Sequence, residues 1–381
     1  MRIAHVANFY GPRSGGLRTT MNHLAEGYRE YGHKVMLVVP GKQFTTEVMS
    51  YGYLVTIPSL KIPFSGGYRI MVRVGKVRQI LASFAPHVLE VSDRSTLIPL
   101  GKWARRKGVV TTAFSHETLD GLTSRFLPFP HMTKKLVRMW NQYLSRSFDH
   151  VVATTRFAAQ EFEEIRASNV RLVSLGVDLI QFSPNRFDPH LRQTIADGAQ
   201  TLLIHCGRLS VEKSPELSIE TLQNLVERGH NVRLLVVGDG PLRDRLEKSS
   251  RNLPVSFMGF VNDRDQLASL LATADAVLAP GPHETFCLAA LEALASGTPV
   301  VASASSAVRE VIGVENGRSK AGAIAFDSAK SFSEAIERIL EIPETTRRSE
   351  SRSRAERFPW WLTVEHMLGL YRDPTRSVRA S

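Results

Sequence analysis

The chain has 381 residues, 43% of them hydrophobic and 22% charged, a balance typical of a soluble globular protein. This length exceeds one ordinary domain and predicts two or three. Only Cys206 and Cys287 are present, which excludes a disulfide scaffold and favours the reducing cytosol. No apolar run approaches the ~18 residues of a membrane-spanning helix, and the short apolar N-terminal run predicts a buried strand rather than a signal peptide. We therefore expect a cytoplasmic protein that is either soluble or peripheral on the inner face of the membrane.

The net charge of +11 comes from the first half of the chain. Residues 1–180 hold 24 Lys and Arg against 12 Asp and Glu, whereas residues 181–381 hold 24 against 25. A one-sided basic surface favours an acidic partner such as nucleic acid, anionic lipid or an anionic substrate. A charge that only keeps the protein in solution explains the same numbers, and the composition leaves both interpretations open.

Short apolar runs alternate with amphipathic stretches in the first half. A strand at 2–8 precedes a helix at 19–32 that ends at Gly32, and a second strand follows at 33–40. The same pattern predicts strands at 87–92, 109–116 and 150–155 and helices at 97–108, 132–147 and 157–165. Strands and helices that alternate at this spacing predict βαβ units and a parallel sheet.

The segment 175–185 contains Gly, Pro and Asn and interrupts this pattern, which then restarts. We predict strands at 201–209, 231–240, 255–261, 275–281 and 298–303 and helices at 215–229, 263–273 and 285–296. These strands are short, apolar and β-branched, as expected where helices cover both faces of a sheet. The predicted class is α/β, with doubly wound domains at 1–180 and 181–355. A C-terminal segment, 356–381, is predicted to carry a helix at 360–372 that packs back toward the first domain.

Ligands in open α/β sheets bind beyond the carboxyl ends of the strands, so the residues after each strand are the first candidates. After the first strand comes a glycine-rich segment with Gly15 and Gly16, which matches neither the dinucleotide nor the P-loop motif. It suits a close backbone approach to a phosphate or sugar and equally suits a plain turn. Gly238, in VVGDGP, lies in another strand-end turn that is placed to border a ligand.

Two cations follow the first strand of the second domain. In GRLSVEKS, Arg208 and Lys213 lie around a predicted loop just before a helix. Such a pair suits a diphosphate held by charge-assisted hydrogen bonds. Taken alone, however, the pattern favours two solvated side chains on a surface turn.

The segment HETFCLAALEALASGTPVV combines a predicted helix start with two glutamates. We place Glu284 in the loop at the helix start and Glu292 about two turns inside the helix. The amides of Thr285, Phe286 and Cys287 then point at one cleft and form an anion site. A carboxylate beside a phosphate site suits hydrogen bonds from sugar hydroxyls, although each glutamate taken singly is better explained as a helix cap or a surface residue.

Together, GRLSVEKS, VVGDGP, GFV and HETFCLAALEALASGTPVVAS, in this order and spacing, resemble the retaining glycosyltransferases of family 4. The likeness is strong in 201–302 and weak in 1–180. It implies the GT-B fold, in which two Rossmann-like domains face each other across a cleft, and a nucleotide-sugar donor. The segments HETFC and EALASG are most similar to those of GDP-mannose-dependent α-mannosyltransferases that build cell-envelope glycolipids.

The resemblance assigns a role to each candidate. In that family Arg208 and Lys213 would bind the donor diphosphate, Glu284 the transferred sugar and Glu292 the ribose. His116, at a strand end beside Glu117, would contact the donor sugar, which makes it a catalytic candidate with Arg208, Lys213 and Glu284. The remaining implied nucleotide-sugar-binding residues are Gly15, Gly16, Gly238, Val261, Asp263, Thr285, Phe286 and Cys287.

The residues that would read the base of the donor match the family in part. Guanine-binding relatives carry an acidic residue and a Lys shortly after the GxV strand; here Asp263 matches, but Gln266 stands where the Lys is expected. The sequence therefore favours GDP-mannose while leaving a UDP-sugar open. A second departure is Ser305-Ser306, where many relatives carry two glycines.

The implied chemistry needs no metal and no cofactor besides the donor substrate. Helix amides, Arg208 and Lys213 would neutralise the leaving diphosphate, and placed donors of this kind supply a large part of catalysis. The sugar would pass through an oxocarbenium-like state while the acceptor attacks the same face. The sequence shows no obvious pair of hydrolase carboxylates, which argues against a glycosidase.

The basic first domain suits an anionic lipid-linked or glycolipid acceptor at a membrane surface. Candidate segments are 59–81 and 125–144; in the second, a predicted helical stripe of Leu136, Trp140, Tyr143 and Leu144 is more typical of a core.

Three other functions remain: a UDP-sugar transferase with a small soluble acceptor, a non-catalytic nucleotide-binding protein, and a nucleic-acid-binding protein. We expect no nucleic-acid partner, because the basic residues form no recognisable binding motif.

Overall fold

The computed structural model describes residues 1–11, 15–62, 67–116, 130–314 and 319–372. The chain divides into two compact units: Met1–Gly176 with the segment from Trp360 onward, and Val177–Pro359. The division after Gly176 lies near the linker expected at 180, and the division after Pro359 lies near the expected start of the C-terminal segment at 356.

An eight-stranded sheet forms the centre of the first unit. Its strands are β1 (Arg2–Ala7), β2 (Lys34–Gly41), β3 (Thr45–Met49), β4 (Gly52–Pro58), β7 (Val88–Ser92), β8 (Val110–Ser115), β9 (His150–Ala153) and β10 (Val170–Leu172). The spatial order is β10-β9-β8-β7-β1-β2-β4-β3, and only β3 runs antiparallel to its neighbour. A separate antiparallel pair joins β5 (Leu60–Lys61) and β6 (Arg69–Ile70).

Six described helices belong to the first unit. They are α1 (Gly16–Glu30), α2 (Val74–Phe84), α3 (Pro99–Arg105), α4 (Pro130–Ser147), α5 (Arg156–Glu163) and the C-terminal α14 (Trp360–Arg372). Gly27 lets α14 pack closely on α1, because a Cβ atom at this position would lie 2.4 Å from Val364 Cγ2. The apolar face of α1, with Met21, Leu24 and Tyr28, thereby joins one core with Val364 and residues of the sheet.

The second unit contains a six-stranded parallel sheet. Its strands are β11 (Thr201–Cys206), β12 (Val232–Val237), β13 (Val255–Gly259), β14 (Ala276–Ala279), β15 (Val300–Ser303) and β16 (Gly322–Ala325). The order is β13-β12-β11-β14-β15-β16. The helices are α6 (Pro189–Ala196), α7 (Pro215–Glu227), α8 (Arg243–Ser249), α9 (Arg264–Thr273), α10 (Leu288–Ala295), α11 (Val308–Ile312), α12 (Ala329–Leu340) and α13 (Glu344–Ala355).

The chain leaves the β13 edge and returns beside β11 as β14, so the order of strands reverses between β11 and β14. Such a switch point is where ligands of doubly wound sheets bind, beyond the carboxyl ends of the two strands. In the first unit the corresponding reversal lies between β1 and β7.

The alternating pattern predicted the doubly wound sheets, but several elements were missed. The hairpins within 45–70 and helix α13 were not predicted. Helix α13 was missed because its sequence has no apolar stripe. Its arginines hold it in place by donating to carbonyl oxygens, Arg348 to Ala272 O (2.9 Å) and Arg352 to Phe182 O (2.9 Å). Among the described helices, none is both long and apolar enough to cross a bilayer.

Candidate active site

Lys213 and Glu284 form an ion pair beyond the ends of β11 and β14, which pair in parallel. Lys213 ends a 3-10 turn, Val211–Lys213, and its Nζ donates a hydrogen bond to Glu284 Oε1. The Lys213 side chain is 34% exposed and that of Glu284 12% exposed. Burial opposes the ammonium charge, but Glu284 beside it outweighs burial and raises the pKa of Lys213. The Lys213 ammonium is therefore charged, and about one-third of its side chain remains exposed to solvent.

Two glycines let the loops around this pair touch. A Cβ atom at Gly281 would lie 3.3 Å from the Cα of Lys213, so the loop after β14 packs directly on the turn after β11. Gly238 has φ +145°, and a Cβ atom there would lie 1.8 Å from the carbonyl oxygen of Gly207. Glycine at 238 thus has a structural reason, beside the ligand role that the resemblance implies.

Arg208 follows β11 and is half-buried, directly before the buried Leu209. The amide of Leu209 donates to Asp239 O (3.1 Å), which ties the segment carrying Arg208 to the loop after β12. Arg208 and Lys213 therefore leave the same strand end on one short, anchored segment.

Glu292 pairs with Arg264, a residue that the sequence did not single out. Arg264 Nη2 donates to Glu292 Oε1 at 2.8 Å, and the guanidinium lies 4.7 Å from the centroid of the Phe182 ring. Burial raises the pKa of Glu292, while the Arg264 charge counteracts that rise. Within the part of the chain that the structure describes, Glu292 Oε2 accepts no hydrogen bond, so it remains available to a hydroxyl donor.

Asp263 begins helix α9 as its N-cap. Its Oδ1 accepts the amides of Asp265 (2.8 Å) and Gln266 (3.3 Å). Gln266 itself is exposed, and Val261, in the loop after β13, is half-buried. Asp263 therefore has a local structural function that is independent of any base it recognises.

The predicted helix at 285–296 is wrong at its start, because α10 begins at Leu288. Cys287 adopts the left-handed conformation with φ +68°, which keeps the preceding residues out of the helix. Its carbonyl oxygen accepts the amides of Ala290 (3.1 Å) and Leu291 (3.3 Å). Glu292 consequently lies little more than one turn inside the helix rather than two.

The later start of α10 changes which amides lack an acceptor within the helix, and the anion site stays a prediction. The amides of Phe286, Cys287, Leu288 and Ala289 have no acceptor among the described residues. Thr285 is buried, and the Phe286 ring packs on Phe358 with centroids 6.2 Å apart. Phe286 can therefore offer a ligand its backbone, since its side chain belongs to the core.

Buried groups around β11 are held neutral. Burial, with Glu292 nearby, raises the pKa of Cys206 to about 12, and burial, with Glu284 nearby, raises that of Cys287 to about 12. Burial, with Lys213 nearby, lowers the pKa of His205 to about 4. The thiols are therefore protonated and unsuited to act as nucleophiles.

The other predicted site residues lie in the first unit. Helix α1 begins at Gly16, three residues before the predicted start, and Gly15 is its N-cap with φ −67°. A Cβ atom at Gly15 would meet no atom within 4 Å. Pro12–Ser14 of the same glycine-rich segment and Glu117 lie outside the described residues. Among the described residues, therefore, nothing that packs around position 15 requires glycine there.

His116 follows β8 and lies at one end of a polar network that the sequence analysis missed. Its Nε2 is 2.8 Å from Ser92 Oγ, and its ring stacks on Phe114 with centroids 5.4 Å apart. Burial, with His5 nearby, lowers the pKa of His116 to about 3, so the ring is neutral. The network continues through His5 to Glu90. Each is a polar residue inside an otherwise apolar strand, and this feature of the sequence could have revealed the network.

The predicted stripe on α4 is divided between core and solvent. Leu144 is buried and Tyr143 packs against the core, whereas Leu136 and Trp140 are 57% and 41% exposed. Among the described residues, His, Cys, Asp and Glu form no cluster of three or more suited to a metal ion.

Solved structures identify the fold. The sucrose-phosphate synthase from Thermosynechococcus elongatus matches with a TM-score of 0.78 and 21% identity, and the match covers 100% of each chain. The chain therefore has the GT-B fold of two Rossmann-like units, which confirms the predicted fold class.

The family follows from sequence comparisons. The Glycosyltransferase Family 4 model matches residues 14–181, and the Glycosyl transferases group 1 model matches residues 187–356. A GDP-mannose-dependent alpha-(1-6)-phosphatidylinositol dimannoside mannosyltransferase of Mycobacterium tuberculosis is 46% identical over 97% of this chain and 95% of its own length. A GDP-mannose-dependent alpha-mannosyltransferase of the same species is 28% identical over 82% of this chain and 81% of its own. The chain belongs to glycosyltransferase family 4, and the predicted family and enzyme class are confirmed.

Proposed function

We propose that this enzyme transfers mannose from GDP-mannose, with retention of configuration, to a glycolipid acceptor of the mannosylated phosphatidylinositol kind. The observation that carries the proposal is the 46% identity, over nearly the full length of both chains, to an enzyme named for that donor and acceptor. The charged groups at the switch point of the second unit agree with a nucleotide-sugar donor.

The diphosphate would bind to Arg208, Lys213 and the amides before and within the first turn of α10. Charge-assisted hydrogen bonds of this kind are stronger than neutral ones, and helix N-termini favour anions. Because Lys213 is partly exposed, a phosphate oxygen can reach its Nζ without unfolding the turn. These groups supply the positive charge that the leaving diphosphate needs, and we propose that no metal takes part.

Glu284 would receive the transferred sugar. Its carboxylate touches Lys213, so a sugar bound by Glu284 and a phosphate bound by Lys213 would be neighbours. That arrangement is expected at the bond that breaks, where positive charge develops on the sugar and negative charge on the leaving oxygen. Donors and charges aimed at these atoms stabilise the transition state.

The nucleoside would lie near Glu292 and Asp263. Glu292 Oε2 can accept ribose hydroxyls while Oε1 is held by Arg264. At Asp263, Oδ1 caps α9, which leaves Oδ2 as the oxygen for a guanine. Gln266 is the one observation that favours the second candidate, a UDP-sugar transferase, because it replaces the Lys expected of guanine readers.

Helix α4 would attach the enzyme to a membrane surface. Lys134, Lys135 and Arg138 are exposed on the same helix as the exposed apolar Leu136 and Met139, each 57% exposed. Basic and apolar groups side by side on a helix bind anionic lipid surfaces. We include this peripheral attachment in the proposal because a glycolipid acceptor presents its head group at such a surface.

Transfer assays with a panel of donors test the function. Purified enzyme is incubated with GDP-mannose, GDP-glucose, UDP-glucose or UDP-galactose, each with mannosylated phosphatidylinositol as acceptor, and the linkage is determined by NMR. We expect an α-linked mannosyl product from GDP-mannose, with Glu284→Gln as the inactive control. Product from a UDP-sugar alone would support the second candidate, and a β-linked product would refute retention.

Vesicle cosedimentation at low salt tests whether helix α4 is the surface that attaches to lipid. We expect the wild-type protein to bind vesicles that contain phosphatidylinositol and the double variant Leu136→Glu, Met139→Glu to lose this binding. The matched control is Phe326→Glu, which removes an apolar side chain that is 78% exposed in the second unit. Equal binding of all three proteins would exclude α4 as the attachment surface.

A further inference from the structure

The segment 178–186, part of the stretch that interrupts the predicted alternation, packs against the start of helix α9. Asp178 closes a turn within this segment, because its carbonyl oxygen accepts the amide of Phe182 at 2.9 Å. The side chain of Gln181 then joins the segment to the first turn of α9, where its Nε2 donates to Asp265 Oδ1 at 2.8 Å. The segment is therefore fixed both within itself and to the helix that follows β13.

Phe182 is also tied to helix α10. Its side chain is fully buried, and its carbonyl oxygen accepts a hydrogen bond from Arg352 Nη1 at 2.9 Å. The same nitrogen donates to the carbonyl oxygen of Ala295 at 3.0 Å, at the carboxyl end of α10. One guanidinium group thus connects Phe182 to the helix that carries Glu292.

Arg264, the first residue of α9, contacts both the Phe182 ring and the Glu292 carboxylate. Its guanidinium carbon lies 4.7 Å from the centroid of the ring, and its Nη2 donates to Glu292 Oε1 at 2.8 Å. An aromatic face attracts a guanidinium group, which is planar and donates in fixed directions. Although 40% of the Arg264 side chain is exposed, the ring therefore restricts it to the position from which it holds Glu292.

The contact with Arg264 also determines what the Glu292 carboxyl group can offer a ligand. Glu292 is 6% exposed, burial raises its pKa, and the charge of Arg264 opposes that rise. Arg264 thus favours the ionised form, in which both oxygens are acceptors. Because Oε1 is occupied by Arg264, a hydroxyl donor meets Oε2 in one orientation.

We propose that Arg264 and Phe182 are positioning residues that fix the Glu292 carboxylate for the hydroxyls of a ribose, so that the enzyme selects ribonucleotide over deoxyribonucleotide donors. This inference deepens the proposed function and rests on it for the contact between Glu292 and the ribose. Recognition of the ribose then depends on the segment 178–186 and on α9, as well as on α10. Since the ribose is remote from the bond that breaks, these residues act on binding of the donor rather than on the chemical step.

Isothermal titration calorimetry of the full-length protein with GDP and with 2′,3′-dideoxy-GDP tests the proposal. The wild-type protein should bind GDP about tenfold more tightly, because the dideoxy nucleotide lacks the hydroxyls that donate to Glu292. Arg264→Met removes the charge, and GDP should then lose most of this advantage while dideoxy-GDP binds as it does to the wild type. An equal loss of affinity for both nucleotides would overturn the proposal, because Arg264 would then act on another part of the nucleotide.

A conservative variant and a matched control separate positioning from a general loss of structure. Arg264→Lys keeps the charge without the planar donor, so its discrimination between the two nucleotides should lie between those of the wild type and Arg264→Met. Discrimination no better than that of Arg264→Met would overturn the role of the charge. Arg228→Met is the control: Arg228 is 38% exposed and donates to Glu337 at 2.8 Å on α12, so the variant should discriminate like the wild type.

Phe182→Leu tests the aromatic contact. The variant keeps an apolar side chain but removes the face on which Arg264 lies, and discrimination should fall by about two- to fivefold. A folded Phe182→Leu protein that discriminates like the wild type would overturn the role of Phe182. The Arg264→Met measurement decides the proposal even if Phe182→Leu does not fold.

Uridine nucleotides and kinetics distinguish a failure of this proposal from a failure of the proposed function. If the protein binds UDP and not GDP, the proposed donor is wrong, and UDP with 2′,3′-dideoxy-UDP then tests Arg264 in the same way. If the wild-type protein binds GDP and dideoxy-GDP equally, the proposal is overturned whether or not mannose is transferred. In transfer assays, Arg264→Met should raise the KM for the donor about tenfold with kcat nearly unchanged. A lower kcat with an unchanged KM would instead place Arg264 in the chemical step and overturn the proposal.

Discussion

The ion pairs of the second unit and the buried Glu90 of the first unit differ in how far they are exposed to solvent. In the second unit, the ion pairs Lys213–Glu284 and Arg264–Glu292 each contain a cation whose side chain is at least one-third exposed. In the first unit, Glu90 is fully buried, and among the described residues its contacts lead through His5 and Ser92 toward the carboxyl ends of the strands.

This difference in exposure distinguishes groups that can bind a ligand from groups that hold their neighbours in place. A partly exposed ion pair contributes little to stability, so its members are free to exchange partners when a phosphate or a hydroxyl arrives. A buried carboxylate must keep its partners, because leaving it or its donors unpaired costs several kcal/mol. We therefore expect substitutions in the second unit to affect activity and substitutions in the buried network to affect stability.

The strongest test of this comparison is Glu90→Ala. The variant leaves the hydroxyls of Tyr28 and Tyr371, which donate to Glu90 Oε1, and the neighbouring imidazole of His5 without their buried partner. We expect the free energy of unfolding of the first unit to fall by about 3–5 kcal/mol, as for other broken buried pairs. Chemical denaturation measures the loss, with Tyr371→Phe as the milder control. A loss below about 1 kcal/mol would remove the distinction between the two units.

Lys213→Ala is the corresponding test in the second unit. We expect kcat/KM for the donor to fall roughly 100- to 1000-fold, because one preorganised donor to the leaving group is lost. The free energy of unfolding should change by no more than about 1 kcal/mol, since the Lys213–Glu284 pair is partly solvated. Lys248→Ala, at an exposed lysine of α8, is the matched control and should retain full activity. Near-normal transfer by Lys213→Ala would contradict the diphosphate role.

Acid should weaken the second unit through His205. This histidine is 2% exposed, its Nδ1 lies 2.9 Å from Ser218 Oγ, and burial lowers its pKa from 6.5 to about 4. Below pH 6.5 the unfolded chain takes up a proton that the folded chain refuses, so stability is full above pH 6.5 and falls toward pH 4. At pH 5 the loss from this residue is about 2 kcal/mol.

Denaturation curves at pH 7 and pH 5 measure this loss, and His205→Asn, which can keep a hydrogen bond to Ser218, should reduce the difference between them. An unchanged difference in the variant would show that His205 is not responsible.

The smallest effect on stability is expected for Gly15→Ala. The position has φ −67°, and no described atom lies within 4 Å of a Cβ atom built there, so the free energy of unfolding should change by less than about 0.5 kcal/mol. The resemblance assigns Gly15 to the donor phosphates, and a steric loss of about 1 kcal/mol there would raise the KM for the donor roughly fivefold. Gly75→Ala, at an equally open glycine of α2, is the control for activity. An unchanged KM in Gly15→Ala would leave that assignment without support.

Much of the fold followed from local pattern. Short apolar runs that alternate with amphipathic stretches predicted the doubly wound sheets, and the helix at 360–372 has the predicted bounds. The pattern failed where local signals are weak: α13 is held by Arg348 and Arg352 rather than by an apolar stripe. It also failed at α10, where a left-handed Cys287 delays the helix start.

What the sequence alone determined was therefore the class, the family and the residues at the strand ends, because motifs such as GRLSVEKS and HETFC are contiguous in the chain. Only the tertiary structure decided their partners. Arg264 meets Glu292, and His116 is joined to Glu90 through Ser92 and His5, because strand pairing brings together residues that are remote in the chain. Contacts of that kind leave no local periodicity, so no reading of a single chain reveals them.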